Sequence, residues 1–383
     1  MKIAHVVSVA PPDIGGMGQV AFDEAHVQAK HGHEATIYTL SYSHPYATAL
    51  GALSLRVHRL HAFPRWGSAG VVPQLFFALK NADLIHLHYP FYGGAEWVYL
   101  ASRFFHKPYI LTYHMDAEPT TFLKRLAQFC YDRLWVERLL KGAARVIITD
   151  SQHFSSSRWQ GKIAASKLRE LSLGVDTDLF VHSSVAADTE TDLADKLRGK
   201  HCLLFVGNFL AVKRLDMLLQ AFAQVADSNL VLVIVGDGPD AARYRREAQS
   251  LGIAERVFFQ GDCSDREKLA RYYRCADAVV IPSAAESFSL VALEAMASGR
   301  PVIAADVLGL KGRITNGSDG FLFAPQSVET LAQTIGRFFS LSETARARMG
   351  ETARQKVVAE YSLIKHSETL EEIYAEVAQE YGF

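Results

Sequence analysis

The sequence predicts an α/β protein built from two doubly wound, Rossmann-like domains. Three observations carry that prediction. Apolar runs of strand length alternate with helical patterns twice over along 383 residues. At 49% apolar and 21% charged, a chain of this length can bury two cores. Each half also has a glycine-rich turn after a strand, Gly15-Gly16-Met17-Gly18 and Gly236-Asp237-Gly238.

In the first half the expected strands are Ile3 to Ala10, Ala35 to Leu40, Leu84 to His88, Tyr109 to Tyr113 and Val146 to Thr149. Helical patterns such as Met17 to Lys30 and Thr121 to Leu140 separate them. In the second half the strands are Cys202 to Val206, Leu230 to Val235, Val257 to Gln260, Ala278 to Ile281 and Pro301 to Ala304. The polar stretch Ser183 to Lys200 reads as linker, so the domains are expected at 1–180 and 181–362. A last helix follows from about Leu363 to Tyr381.

Composition narrows the function. Four cysteines, Cys130, Cys202, Cys263 and Cys275, show neither a Cys-x-x-Cys pair nor zinc-like spacing, which points to free thiols in a reducing compartment without a structural metal. The first residues read as a cytoplasmic strand rather than a signal, and no run approaches the length of a membrane span. Residues 1–175 hold 18 Lys plus Arg against 12 Asp plus Glu, the remainder 22 against 29, so a basic half precedes an acidic one. Only the first half is suited to an anionic partner, and without a dense basic run that partner is not nucleic acid.

The segment Pro282 to Pro301 carries most of the chemistry. Glu286 falls in a turn after a strand and Glu294 in the amphipathic helix that follows, eight residues on. Eight helical steps span at most about 12 Å, close to a sugar, a diphosphate and a ribose end to end. The amides near Phe288, Ser289 and Leu290 lie at the helix N-terminus, where unpaired N–H groups favour phosphate. The constellation fits a nucleotide-sugar. Taken alone, two carboxylates so spaced are more often surface decoration, so the flanking motifs decide.

Those motifs lie at strand ends. Gly207-Asn208 with Lys213-Arg214 opens the second domain, and cations at a helix start imply an anionic partner. Tyr113-His114-Met115-Asp116 closes a strand of the first domain at the carboxyl edge, where open sheets bind ligands. Gly16-Met17-Gly18-Gln19-Val20-Ala21 also reads as a dinucleotide fingerprint. A dehydrogenase wants an acidic residue at the end of the next strand, and Ser41-Tyr42-Ser43-His44 follows instead.

With Glu-x7-Glu, Gly174-Val175-Asp176 and Asn316-Gly317-Ser318-Asp319-Gly320 in place, the chain resembles, over nearly its whole length, the retaining glycosyltransferases of family 4. The resemblance implies the GT-B fold, with two domains facing across a cleft and the last helix, 363–383, crossing back onto the first domain. It implies that Glu286 contacts the donor sugar, Glu294 the ribose hydroxyls and His114 the donor sugar from the first domain. Lys213, with Arg214, would neutralise the departing diphosphate, while Gly15 and Gly16 would cap donor phosphate or acceptor. Asp116 is a weaker candidate for an acceptor contact. The family's arginine is Asn208 here, which places more of the leaving-group charge on Lys213. Glu-Ser-Phe-Ser stands for the usual Glu-Gly-Phe-Gly, and Val307 to Arg313 lacks the usual Gly-Gly-x-x-Glu, so the donor, a UDP- or GDP-sugar, is left open.

The resemblance further implies a metal-independent hexosyltransferase; the basic first half and the helix Thr121 to Lys141 point to a glycan or lipid-linked acceptor in cell-envelope or exopolysaccharide biosynthesis. No cofactor is expected; Asp176-Thr177-Asp178 looks like a metal motif but lies inside a matched segment. The helix Thr121 to Lys141 mixes Lys124, Arg125, Arg133, Arg138 and Lys141 with Phe122, Phe129 and Trp135. Two accounts fit it: a helix on the anionic inner face of the membrane, or a core helix with a solvated basic face, the plainer of the two. A nucleotide-sugar epimerase and a catalytically silent nucleotide-binding relative are the alternative functions.

Overall fold

The computed structural model describes residues 1–13, 15–41, 55–116, 121–181 and 191–383. The chain divides into unit 1, Met1–Gly174 with Ile364–Phe383, and unit 2, Val175–Leu363. Of the expected linker, 183–190 lie outside the described residues, whereas Thr191–Leu197 is helical.

Unit 1 contains strands β1 (Lys2–Val6), β2 (Glu34–Leu40), β3 (Arg56–Leu60), β4 (Arg65–Trp66), β5 (Ala69–Gly70), β6 (Leu84–Tyr89), β7 (Tyr109–Tyr113), β8 (Arg145–Ile148) and β9 (Leu168–Glu170). Strands β4 and β5 form a small antiparallel pair; the others form one parallel sheet in the order β3-β2-β1-β6-β7-β8-β9. Parallel strands buried on both faces read as near-continuous apolar runs, which is why β6 and β7 were legible. Strand β3, Arg-Val-His-Arg-Leu, was not, because an edge strand can carry charge. The apolar run after β1 continues past Val6 because Val7 and Ala10 pack with Ala21 and Ala25 of the Gly16–Lys30 helix. One sheet face packs under the Gln74–Ala78, Ala95–Phe105 and Glu137–Gly142 helices. The other is covered by the Gly16–Lys30 helix and by the C-terminal helix Leu363–Tyr381, whose Leu370, Ile373, Tyr374 and Val377 meet Ile3, Leu84 and Ile110.

Unit 2 contains β10 (His201–Val206), β11 (Leu230–Val235), β12 (Val257–Gly261), β13 (Ala278–Ile281), β14 (Val302–Ala305) and β15 (Gly320–Phe323). They form a parallel sheet in the order β12-β11-β10-β13-β14-β15. The chain first winds outward from β10 to β12 and then returns to start again at β13. The order reverses between β10 and β13, and ligands bind open α/β sheets at such a point, beyond the carboxyl ends of the strands. The expected class, two doubly wound α/β domains, is the one observed.

Candidate active site

In unit 2 the loops after β10 and β13 meet at this reversal point. The Ala284 amide donates to the Val212 carbonyl at 2.8 Å, tying one loop to the other. Lys213, at the end of the turn Ala211–Lys213, thereby reaches Glu286: Nζ lies 2.7 Å from Oε1. Ser283 Oγ donates to the same oxygen at 2.7 Å. The carboxylate is only 9% exposed and the ammonium 28%, so the pair is shielded more than a surface ion pair but not sealed from solvent. Behind it, a Cβ on Gly309 would stand 2.1 Å from the Glu286 carbonyl oxygen, so only glycine lets that loop seat.

The helix after Glu286 begins at Leu290, with Ser289 as N-cap at φ 76° and without a side-chain capping bond. The first-turn amides are therefore those of Leu290, Val291 and Ala292. This corrects the expectation for Phe288, which precedes the helix. Its ring is buried, with the Arg313 guanidinium 3.7 Å from the ring centroid and Tyr361 at its edge, so its side chain packs the site from below. The helical estimate of the Glu286–Glu294 span also fails, because the chain from Glu286 to Ser289 is not helical. Glu294 lies inside the helix and is 9% exposed; Oε2 accepts from Tyr273 Oη at 2.8 Å and Oε1 stands 3.9 Å from Arg266.

Asn208 is exposed after β10. Arg214 adopts left-handed backbone, φ 51°, and its guanidinium holds both oxygens of Asp216 at 3.2 Å. Each of the two cations expected against a diphosphate has a carboxylate partner here: Lys213 faces Glu286, and Arg214 faces Asp216 at its own helix start. Close backbone contact fixes these loops. A Cβ on Gly236 would lie 2.1 Å from the Gly207 carbonyl oxygen, and the Phe209 amide donates to the Asp237 carbonyl at 2.9 Å.

In unit 1, Gly15 caps the Gly16–Lys30 helix in extended backbone and has no side chain close enough to exclude a Cβ. The glycine that packing demands is Gly18, whose Cβ would meet the Val9 carbonyl oxygen at 2.2 Å. His114 follows β7 and is buried; its Nε2 lies 3.2 Å from His88 Nδ1. Burial lowers the His114 imidazole to about 4 despite the pull of Glu24, so the ring is neutral at pH 7. Asp116 accepts from Tyr113 Oη at 2.5 Å and from Arg158 at 3.1 Å. Arg158 also holds Asp132, at 2.6 Å.

Sequence reasoning missed Ser283, Tyr273, Arg266, Gly309 and Arg313. Ser283 had a local signal, three residues before Glu286 on the same turn. The others come from separate elements, and only folding brings them to Glu286, Phe288 and Glu294.

The chain matches two family descriptions, "Glycosyltransferase Family 4" over residues 14–179 and "Glycosyl transferases group 1" over 189–356. It is 30% identical over 376 residues to a D-inositol 3-phosphate glycosyltransferase of Corynebacterium glutamicum, covering 89% of this chain and 87% of the relative. Among solved structures it is similar to sucrose-phosphate synthase from Thermosynechococcus elongatus, with TM-score 0.82, 24% identity and 98% of each chain covered. It is also similar to Anabaena HepE in complex with UDP and glucose, with TM-score 0.80, 19% identity, and 98% of this chain and 100% of that one covered. At these identities the two structures establish the fold, two Rossmann-like domains of the GT-B type.

Proposed function

We propose a function from one premise: this chain belongs to glycosyltransferase family 4 and has its GT-B fold. It is a glycosyltransferase. The finer reading is transfer, with retention, of a sugar from a nucleoside diphosphate, such as a UDP- or GDP-sugar, to a hydroxyl of a glycan or lipid-linked envelope acceptor. The observation that carries it is the Lys213–Glu286 pair at the strand-order reversal, beside the N-terminus of the Leu290–Ala297 helix. A cation and an unpaired helix end suit a diphosphate, and a fixed carboxylate beside them suits sugar hydroxyls.

The chemistry follows from where charge moves. Breaking the anomeric C–O bond leaves positive charge on the sugar ring and negative charge on the departing phosphate oxygen. Lys213 and the Leu290–Ala292 amides stabilise the latter. The acceptor oxygen then bonds to the anomeric carbon on the face the phosphate leaves, and its proton passes to that phosphate. Glu294, fixed by Tyr273, is the ribose acceptor group. In unit 1, His114, Gly15, Gly16 and Asp116 are the candidates for donor and acceptor contacts. Transfer itself calls for no metal, since Lys213 and the amides supply the charge compensation.

For the acceptor, unit 1 supplies a basic and partly apolar surface. In the Phe122–Tyr131 helix, Phe122, Leu123, Leu126 and Phe129 are exposed together with Arg125, as is Leu134 in the following turn. The Lys124 side chain lies outside the described residues. The core-helix account therefore fails for these first turns, and contact with an anionic membrane surface is the reading we carry forward. Among the described residues no helix is long and apolar enough to cross a membrane.

The decisive experiment incubates UDP-, GDP- and ADP-sugars with the enzyme, with and without EDTA, and measures nucleoside diphosphate release and sugar transfer. Release from one donor, insensitive to EDTA and lost in Glu286→Gln, is expected. Conversion of the donor sugar without diphosphate release would make the chain an epimerase. Tight nucleotide binding without turnover, with acceptor extracts present, would make it a silent relative.

A further inference from the structure

A second chemical cluster lies inside unit 1, and the transfer reaction does not use it. His5 on β1 and His86 and His88 on β6 project from one sheet face, and the ladder sets His5 opposite His86. Glu24 and Gln28, one turn apart on the Gly16–Lys30 helix, come down onto that face. All five are buried, 0–2% exposed. Three imidazoles and a carboxylate in a dry layer are costly unless something compensates them.

We propose that His5, Glu24, His86 and His88 form a binding site for one divalent transition-metal ion of the zinc type. One ligand atom from each of the four lies within 4.8 Å of all the others. His5 Nδ1 is 3.2 Å from His88 Nε2, His88 Nε2 is 3.7 Å from Glu24 Oε2, and Glu24 Oε2 is 3.4 Å from His86 Nδ1. Metal–nitrogen and metal–oxygen bonds of about 2.0–2.1 Å give a tetrahedron with edges of about 3.3–3.4 Å. Three of the six separations are thus within about 0.4 Å of that figure, and the remaining ones lie within 4.8 Å.

The opposite side of each ligand group is already held, as protein metal sites require. His5 Nε2 meets Gln28 Oε1 at 2.7 Å, and His86 Nε2 meets Thr112 Oγ1 at 2.7 Å. His88 Nδ1 meets His114 Nε2 at 3.2 Å, and Glu24 Oε1 meets His366 Nε2 at 3.1 Å. The four atoms left over, His5 Nδ1, His86 Nδ1, His88 Nε2 and Glu24 Oε2, are the ones that cluster together. Glu24 Oε2 has no hydrogen-bond partner, although it is buried. A chain of histidines sharing protons accounts for the ring-to-ring distances but leaves that buried oxygen without a hydrogen bond. Two existing contacts would yield to the metal: the His5 Nδ1–His88 Nε2 hydrogen bond, 3.2 Å, and that of Tyr374 Oη to His86 Nδ1, 2.7 Å, after which Tyr374 would keep its bond from Gln28 Nε2, 2.8 Å. Imidazole and carboxylate without thiolate suit zinc or cobalt(II). The site is in unit 1, whereas the diphosphate chemistry proposed above lies in unit 2, so a metal here and metal-independent transfer are compatible.

The full chain, made without a histidine tag in zinc- or cobalt-supplemented medium, would be gel-filtered in EDTA and its metal measured by mass spectrometry. Near-stoichiometric metal is expected, with the visible absorption bands of tetrahedral cobalt(II) and no thiolate charge-transfer band. Glu24→Gln and His88→Gln should lose at least nine-tenths of it, Gln28→Leu should weaken binding about 10–100-fold, and His58→Ala with His61→Ala should change nothing. Folded wild-type chain without metal from either medium would overturn the proposal, as would full metal content in Glu24→Gln or His88→Gln. If those variants fail to fold, the cobalt spectrum of the wild type decides: octahedral or absent bands reject the site.

Discussion

At Glu286 two donors, Lys213 Nζ and Ser283 Oγ, converge on one oxygen. Lys213 shares its charge with this carboxylate until an anion competes for it. Lys213→Ala should therefore lower kcat about 10²–10³-fold with little change in KM, the pattern of a group that acts on the leaving group in the transition state. An equal loss confined to KM would reassign Lys213 to ground-state binding. Ser289 holds φ 76°, a region that costs a non-glycine residue about 1–3 kcal/mol. Ser289→Gly is expected to raise the melting temperature, and a fall would show that the serine hydroxyl holds the turn. Gly309→Ala places a methyl against the Glu286 carbonyl and should reduce kcat/KM about 10²-fold by shifting the carboxylate, while circular dichroism stays native.

At the scale of elements, the Phe122–Tyr131 helix and the strand that buries Cys202 make opposite predictions. The helix presents Phe122 at 82% and Phe129 at 68% exposure, more apolar surface than a solvated helix ordinarily shows. Replacing both with serine should leave stability within about 0.5 kcal/mol and reduce sedimentation with anionic vesicles. Unchanged sedimentation, or equal binding to neutral vesicles, would remove the membrane reading. Among the cysteines, Cys130 on this helix is exposed, whereas Cys202 on β10 is buried and its thiol is pushed up by burial. A thiol reagent should modify Cys130 first and reach Cys202 only on unfolding; early labelling of Cys202 would show that β10 opens in the native state.

At the scale of the whole molecule, unit 1 is discontinuous, and its sheet depends on the last twenty residues. Leu370, Ile373, Tyr374 and Val377 cover Ile3, Leu84 and Ile110, and His366 binds Glu24 while Tyr374 binds His86. Deleting Ile364–Phe383 strips that face and leaves Glu24 and His86 without these partners. The truncated chain should lose the melting transition of unit 1 while keeping that of unit 2, and a native two-transition profile would show that the helix is dispensable. Unit 2, by contrast, is a continuous segment with its own core. Expressed alone as 175–363, it should unfold in one cooperative transition.

The sequence alone determined the two doubly wound sheets, because buried parallel strands and amphipathic helices write their periods directly into the chain. It also placed Lys213 and Glu286 in the loops after strands and Glu294 on the helix that follows, positions the structure shares. What it could not show depends on which elements become neighbours. Edge strands such as β3 carry charge and lose the apolar signature, and Ser289 falls in left-handed backbone without a glycine to announce it. Tyr273 reaches Glu294, Gly309 seats the Glu286 loop and Arg214 turns to Asp216 only through tertiary contact. The clearest case is His5, Glu24, His86, His88 and His366. They are scattered along the chain, each reading as an ordinary histidine or helix carboxylate, and only the strand order and the returning helix bring their polar atoms within bonding distance.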